Sequence, residues 1–338
     1  MRVGTVCYAT KQGLGYLAKS FYDAGVVTDV MVFRHPHGDR PSQMQWYPDG
    51  TIELIKRPFV GERIERWLDD LRAVIFFETP FDWKFADRCR ERGVKTILMP
   101  MYEWALQKPP HVFDKYINPS LLDQDYFPQG EFIPVPAPQG IWKLRSKAIR
   151  FLHNGGNLGA RNHKGTLELM KAMKYVKSDL QLTIRSQNAR GLQSLASQVP
   201  GLKEDSRVHL VGSELPYESL FDGYDVLVAP EKFNGLSLPL QEAYAAGMLV
   251  ITTNRYPMNT WLPNMPLIPV AGTQRAQVMG GHNEFEESIL DPVDIAKVLD
   301  RWYGQDIEQY SISGKHYAEK NSWEVLKPKY ISAIRSCL

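Results

Sequence analysis

Asn234 and Glu242 stand eight residues apart in the stretch Val226 to Gly247, and their types and spacing suggest chemistry. Val226 to Ala229 is a short apolar, strand-like run, and Leu238 to Ala246 reads as a helix closed by Gly247. Pro239 falls in the first turn of that helix, where a missing N–H is tolerated. The free N–H groups at such a start attract phosphate, and Gly235 lets the backbone come close to a ligand. Glu242, an acceptor-only carboxylate in the first turns, can take hydrogen bonds from a pair of hydroxyls. An ordinary strand–loop–helix with a solvated glutamate has the same spelling, so this stretch alone leaves both readings open.

The elements that must position these residues alternate along the chain. Arg2 to Tyr8 reads as a buried strand, followed by Gly13-Leu14-Gly15 and a helix closed by Gly25. Val26 to Phe33, Ala73 to Phe77 and Lys95 to Met99 read as further strands, the last after a helix over Trp83 to Arg92. Phe132 to Pro138 carries three prolines, which remove ladder donors, and reads as an extended connector. The pattern then restarts with strands at Ile149 to His153, Leu180 to Ile184, Val208 to Val211, Tyr224 to Ala229 and Met248 to Thr253, and a helix over Thr166 to Val176. Alternation of this kind predicts two parallel-sheet α/β domains, residues 1–140 and 141–338, facing a central cleft. The last helix is one that can return to the N-terminal domain.

At Asn234 to Gly247 the sequence resembles the retaining GT-B glycosyltransferases, particularly glycosyltransferase family 4, whose pattern is E-G-F-G-L-P-x-x-E-A-x-A-x-G. The resemblance implies two Rossmann-like domains and transfer of a sugar from a nucleotide diphosphate-sugar, with Glu242 on the ribose and the amides of Gly235, Leu236 and Ser237 near sugar and diphosphate. The family's sugar-binding Glu maps onto Asn234, which keeps hydrogen-bonding capacity and loses the charge. Glu231 lies three residues upstream and compensates only if the loop is re-routed. Gly155-Gly156 and Asn162-His163-Lys164-Gly165 resemble the family's glycine loop and Lys-Gly helix start, so Lys164 is implied to neutralise the diphosphate. The family's arginine usually follows the first glycine, where this chain has Gly156, which makes Arg161 a displaced candidate. Gly13 and Gly15 resemble the N-terminal glycine loop that approaches the donor. Relatives often carry a histidine near Met101-Tyr102-Glu103; here Glu103, or Glu78 after the preceding strand, is the candidate for contacts to sugar or acceptor hydroxyl. Trp323 matches a family tryptophan and reads as packing.

Several other readings compete. Gly13-Leu14-Gly15-Tyr16-Leu17-Ala18 satisfies a dinucleotide fingerprint, and Arg34 ends a strand where a 2′-phosphate binds, so an NADP-dependent oxidoreductase is the rival enzyme. Its glycines begin several residues after the strand, and it leaves Asn234 to Glu242 unexplained. A nucleotide-sugar-binding protein without catalysis is a third class, suggested by Asn234. Asp123-Gln124-Asp125 has metal-ligand spacing but precedes Tyr126-Phe127-Pro128 in an irregular stretch, and no metal or cofactor is expected. Net charge is +2, with 21 basic against 18 acidic residues over 1–150, too slight a bias to argue for nucleic acid. A glycan or glycolipid is the expected acceptor, with the loop Arg34 to Arg40 (His35, His37) and Trp46 as basic and aromatic contacts. Hydroxymethylated bases of phage DNA are an alternative that requires base flipping. No apolar run approaches the roughly 20 residues of a membrane span, no signal peptide is evident, and Cys7, Cys89 and Cys337 form no pair, so a cytoplasmic protein with reduced thiols is expected.

Overall fold

The computed structural model describes residues 1–34, 42–47, 51–54, 56–102, 112–157, 162–213, 216–277 and 284–338. The described chain divides into two units: Met1–Val135 with Trp323–Leu338, and Pro136–Gln277 with Glu284–Ser322.

The first unit opens with β1 (Val3–Cys7), α1 (Gly13–Asp23), β2 (Asp29–Phe33), β3 (Ile52–Leu54) and α2 (Glu62–Asp69). It continues through β4 (Ala73–Glu78), α3 (Trp83–Glu91), β5 (Lys95–Pro100), β6 (Lys115–Asn118), α4 (Leu121–Tyr126) and β7 (Glu131–Phe132). All seven strands pair in parallel, in the order β3-β2-β1-β4-β5-β6-β7. Helices cover the sheet, so β1 and most of β4 are buried apolar runs without alternation. Gly4 in β1 leaves the space that the Trp67 ring of α2 fills.

The second unit runs β8 (Arg150–Asn154), α5 (Thr166–Ala172), β9 (Gln181–Arg185), α6 (Ala189–Ala196), β10 (Val208–Val211), β11 (Val226–Ala229), α7 (Leu238–Ala245), β12 (Leu249–Thr253) and β13 (Leu267–Ile268). A hairpin of β14 (Gly272–Gln277) and β15 (Glu284–Ile289) follows, then α8 (Pro292–Trp302) and α9 (Glu308–Lys320). Its six-stranded sheet is again parallel, in the order β10-β9-β8-β11-β12-β13. One face packs Phe151, Ile184, Val228 and Ile251 with α5 and α8, and the other packs Leu152, Leu227 and Val250 with Leu240 and Tyr244 of α7.

The last helix, α10 (Trp323–Arg335), belongs to the first unit. Phe21 of α1 meets the rings of Trp323 and Tyr330 edge-on, each at 4.8 Å, and the Tyr330 hydroxyl donates to the Pro134 carbonyl at 2.9 Å.

In both sheets the strand order reverses beside the unit's first strand, between β1 and β4 and between β8 and β11. At such a switch point the loops leaving the carboxyl ends diverge and open a crevice for ligands. The sequence-based expectation of two parallel Rossmann-like sheets matches this architecture. The short strands β3, β6, β7 and β13 and the β14–β15 hairpin escape sequence reading, since two- to six-residue strands at sheet margins carry little periodicity.

Candidate functional site

The loops leaving β8 and β11 flank the switch point of the second unit, and a set of buried polar contacts staples them together. Lys164 Nζ lies 2.5 Å from Glu231 Oε1, with both side chains largely buried. The other Glu231 oxygen accepts from Ser237 Oγ at 2.7 Å. Burial by itself raises the Glu231 carboxyl, but the Lys164 ammonium, followed by Ser237 and Asn234, outweighs it and holds the group below the usual carboxylate range. A second clamp lies alongside: Lys232 Nζ pairs with Glu168 at 2.8 Å, and Lys232 N donates to the His163 carbonyl at 2.8 Å.

Local sequence explains why the loops approach so closely. Gly165 has a φ of 66°, and a Cβ there would collide with the Pro230 carbonyl oxygen, so the residue after Lys164 must be glycine. His153, at the end of β8, is buried between the Val228 carbonyl and Thr166 Oγ1, both 2.8 Å away. Nδ1 donates to the carbonyl, and Nε2 then accepts from Thr166, the first residue of α5. Burial pushes this imidazole down to about 4, so it is neutral at physiological pH and acts as a strut between strands and helix start.

Asn234 organises the loop before α7. Its Oδ1 accepts from the amides of Leu236 at 3.2 Å and Ser237 at 2.7 Å. Ser237, the residue preceding α7, adopts a left-handed φ of 49°, a strained state that its hydrogen bonds to Asn234 and Glu231 hold in place. Glu242 lies one turn further into α7 and accepts from the Tyr217 hydroxyl at 2.8 Å. Burial raises its carboxyl to about 7, and the Tyr217 bond only partly offsets the rise.

The glycine loop is held from β9. Gly155 N donates to the Arg185 carbonyl at 2.8 Å, Gly156 N donates to Asn154 Oδ1 at 3.2 Å, and Ser186 Oγ donates to the Gly156 carbonyl at 2.8 Å. The structure therefore assembles Gly155, Gly156, Lys164, Asn234, Gly235, Leu236, Ser237 and Glu242 on the loops and helix start around one switch point. Arg161 and Glu103 lie outside the described residues, as do His35, His37 and Arg40.

In the first unit, Gly13 and Gly15 fall in the first turn of α1, and a Cβ on Gly15 would strike the Thr10 carbonyl. Close packing of the chain on itself thus accounts for Gly15. Glu78 ends β4 with a left-handed φ of 65°, uncommon for a residue with a side chain. Arg34 is tied to Glu53 at 2.9 Å instead of standing open to a 2′-phosphate. Asp123 lies in α4, where its backbone N–H and carboxylate both bond the Ser120 hydroxyl, a helix-capping arrangement. Sequence reading misses Tyr217, Ser237 as a strained residue before α7, the Glu231 ion pair and Arg185; Glu231 stands three residues upstream of Asn234, but nothing in its spacing marks the lysine it meets.

Residues 151–261 match the family of glycosyl transferases group 1. The matched segment is the core of the second unit, from β8 through β12. Solved structures extend the likeness in fold to nearly the whole chain. Anabaena HepE, in complex with UDP and glucose, superposes with a TM-score of 0.69 at 9% identity over 99% of this chain and 100% of its own. A glycosyltransferase from Rickettsia africae gives 0.69 at 13% identity, over 99% and 98%. Sucrose-phosphate synthase from Thermosynechococcus elongatus gives 0.67 at 14%, also over 99% and 98%. A comparison with curated proteins finds no match. Among the described residues no helix is long and apolar enough to cross a membrane.

Proposed function

We propose that this protein is a glycosyltransferase that moves a sugar from a nucleotide diphosphate-sugar to a hydroxyl acceptor with retention of anomeric configuration, and that the second unit holds the donor. The observation that carries the reading is the stapling of the β8 and β11 loops at the switch point, which puts Lys164 and the start of α7 on neighbouring loop ends. The complex of HepE with UDP-glucose supports the same class of donor here. Glu242 receives the ribose hydroxyls, and the loop from Gly235 to Ser237 lies along sugar and diphosphate.

In this reading the acceptor attacks on the face from which the nucleotide diphosphate departs, through an oxocarbenium-like transition state. Negative charge grows on the leaving group, and Lys164 with the N-terminal end of α7 stabilises it. For Lys164 to do so it must turn part of its charge from Glu231 to the phosphate, so the ion pair is a resting state that the donor loosens. Glu78, held in its strained conformation at the end of β4, is the residue of the first unit suited to bind the acceptor hydroxyl. A glycan or glycolipid is the acceptor we favour.

The decisive experiment incubates the protein with a panel of nucleotide sugars and follows donor hydrolysis and transfer, with and without EDTA. Turnover of one donor that persists in EDTA is the expected result. No turnover of any donor, with binding retained, would favour a binding protein, a reading to which Asn234 in place of a carboxylate lends weight. Loss in EDTA restored by manganese would overturn metal independence.

A further inference from the structure

Arg185, the last residue of β9, is 3% exposed, yet its Nη1 and Nη2 have no hydrogen-bond partner. Buried guanidinium groups are almost always paired, because an unpaired one forfeits its hydration without return. Here Tyr224 is the titratable group that acts on the cation, and burial pulls the guanidinium below its usual range. The register pairs Arg185 with Asn154, so both side chains project from the same sheet face as Leu152, the face that packs against α7. That face carries the helix bearing Glu242, and the Arg185 carbonyl is bonded to the amide of Gly155 in the glycine loop.

We propose that Arg185 is a further donor-binding residue, whose two terminal nitrogens receive the oxyanions of the donor diphosphate beside the Gly155-Gly156 loop. The inference rests on the donor site assigned above to the second unit. A strand-end arginine keeps its charge under burial where a lysine loses it, and its forked nitrogens match two phosphate oxygens. The unfilled nitrogens are then a pre-organised half of a contact that the substrate completes.

Calorimetry on wild type, Arg185→Met and Arg185→Lys tests this, with UDP, GDP, ADP, CDP and dTDP, the matching nucleosides, and inorganic pyrophosphate as probes. We expect Arg185→Met to weaken the preferred nucleoside diphosphate about 10- to 100-fold, as loss of charge-assisted hydrogen bonds does. Binding of the bare nucleoside should be unchanged, and the melting temperature of the free protein unchanged or raised. Arg185→Lys should fold in any case and fall between the two. Equal losses for nucleoside and diphosphate, or an unchanged diphosphate affinity, would overturn the proposal. If wild type binds no nucleotide, the donor assignment itself fails; Arg185 is then judged on pyrophosphate, where binding by wild type but not Arg185→Met sustains the anion contact and equal behaviour ends it.

Discussion

Glu242 holds its proton up to about neutral pH because it is partly buried against Tyr217 with no cation beside it among the groups that shift it. A folded-state pKa near 7 lies above the ordinary carboxyl value, so its contribution to stability is full below about pH 4.3 and is lost as pH rises through 7. Glu242→Gln should therefore leave the melting temperature unchanged near pH 4 and raise stability by about 1–2 kcal/mol at pH 8; equal pH profiles for the two proteins would refute the raised pKa. Glu242→Ala should weaken the nucleoside diphosphate by about 2 kcal/mol or more, and unchanged calorimetric affinity would take Glu242 out of the donor site. Asn234 poses a sharper question, since its oxygen caps two loop amides. Asn234→Ala should lower transfer about 10- to 100-fold. Asn234→Asp keeps the capping oxygen, so recovery of rate with wild-type donor preference marks a loop organiser, and a change of preferred sugar marks a residue that faces the donor. Sequence makes Lys164 and Glu242 legible through motif spacing. It hides the Glu231 partnership, because a glutamate 67 positions from its lysine looks like any solvated charge.

Elements are legible where burial on both sides writes a continuous apolar run, as in Val226–Ala229 and Ala73–Phe77. They are illegible where two residues pair at a sheet margin, as in β7 and β13, or where charged residues crowd a strand and break the alternation, as Glu284, Glu286 and Glu287 do in β15. Helix α5 stops at Ala172, four residues before the expected Val176, and continues as hydrogen-bonded turns through Tyr175 and Val176. The most sensitive joint between elements is the start of α5. Gly165→Ala meets both a left-handed φ and the Pro230 carbonyl, so about 3 kcal/mol of destabilisation is expected, along with weaker nucleotide binding as Lys164 shifts. Denaturant titration and calorimetry check this together. A variant as stable as wild type would show that the two loops separate without consequence.

At the scale of the whole molecule, the first unit is discontinuous: α10 completes it after the second unit has intervened. Removing residues 323–338 takes away the rings that pack on Phe21 and the hydroxyl that bonds the Pro134 carbonyl. Hydrogen exchange should then lose protection across residues 1–135 while β8, β11 and β12 keep theirs. Loss spread evenly over both units would contradict the division. The same arrangement sets an order on biosynthesis. As the chain emerges from a ribosome, the first unit's strands appear early but wait, with Phe21 uncovered, until more than half of the chain has been added. The described residues of the second unit lie in one stretch of sequence, 136–322, and can close on one another first. The nascent protein thus matures from the middle outward, and its early segment is the one in need of a chaperone.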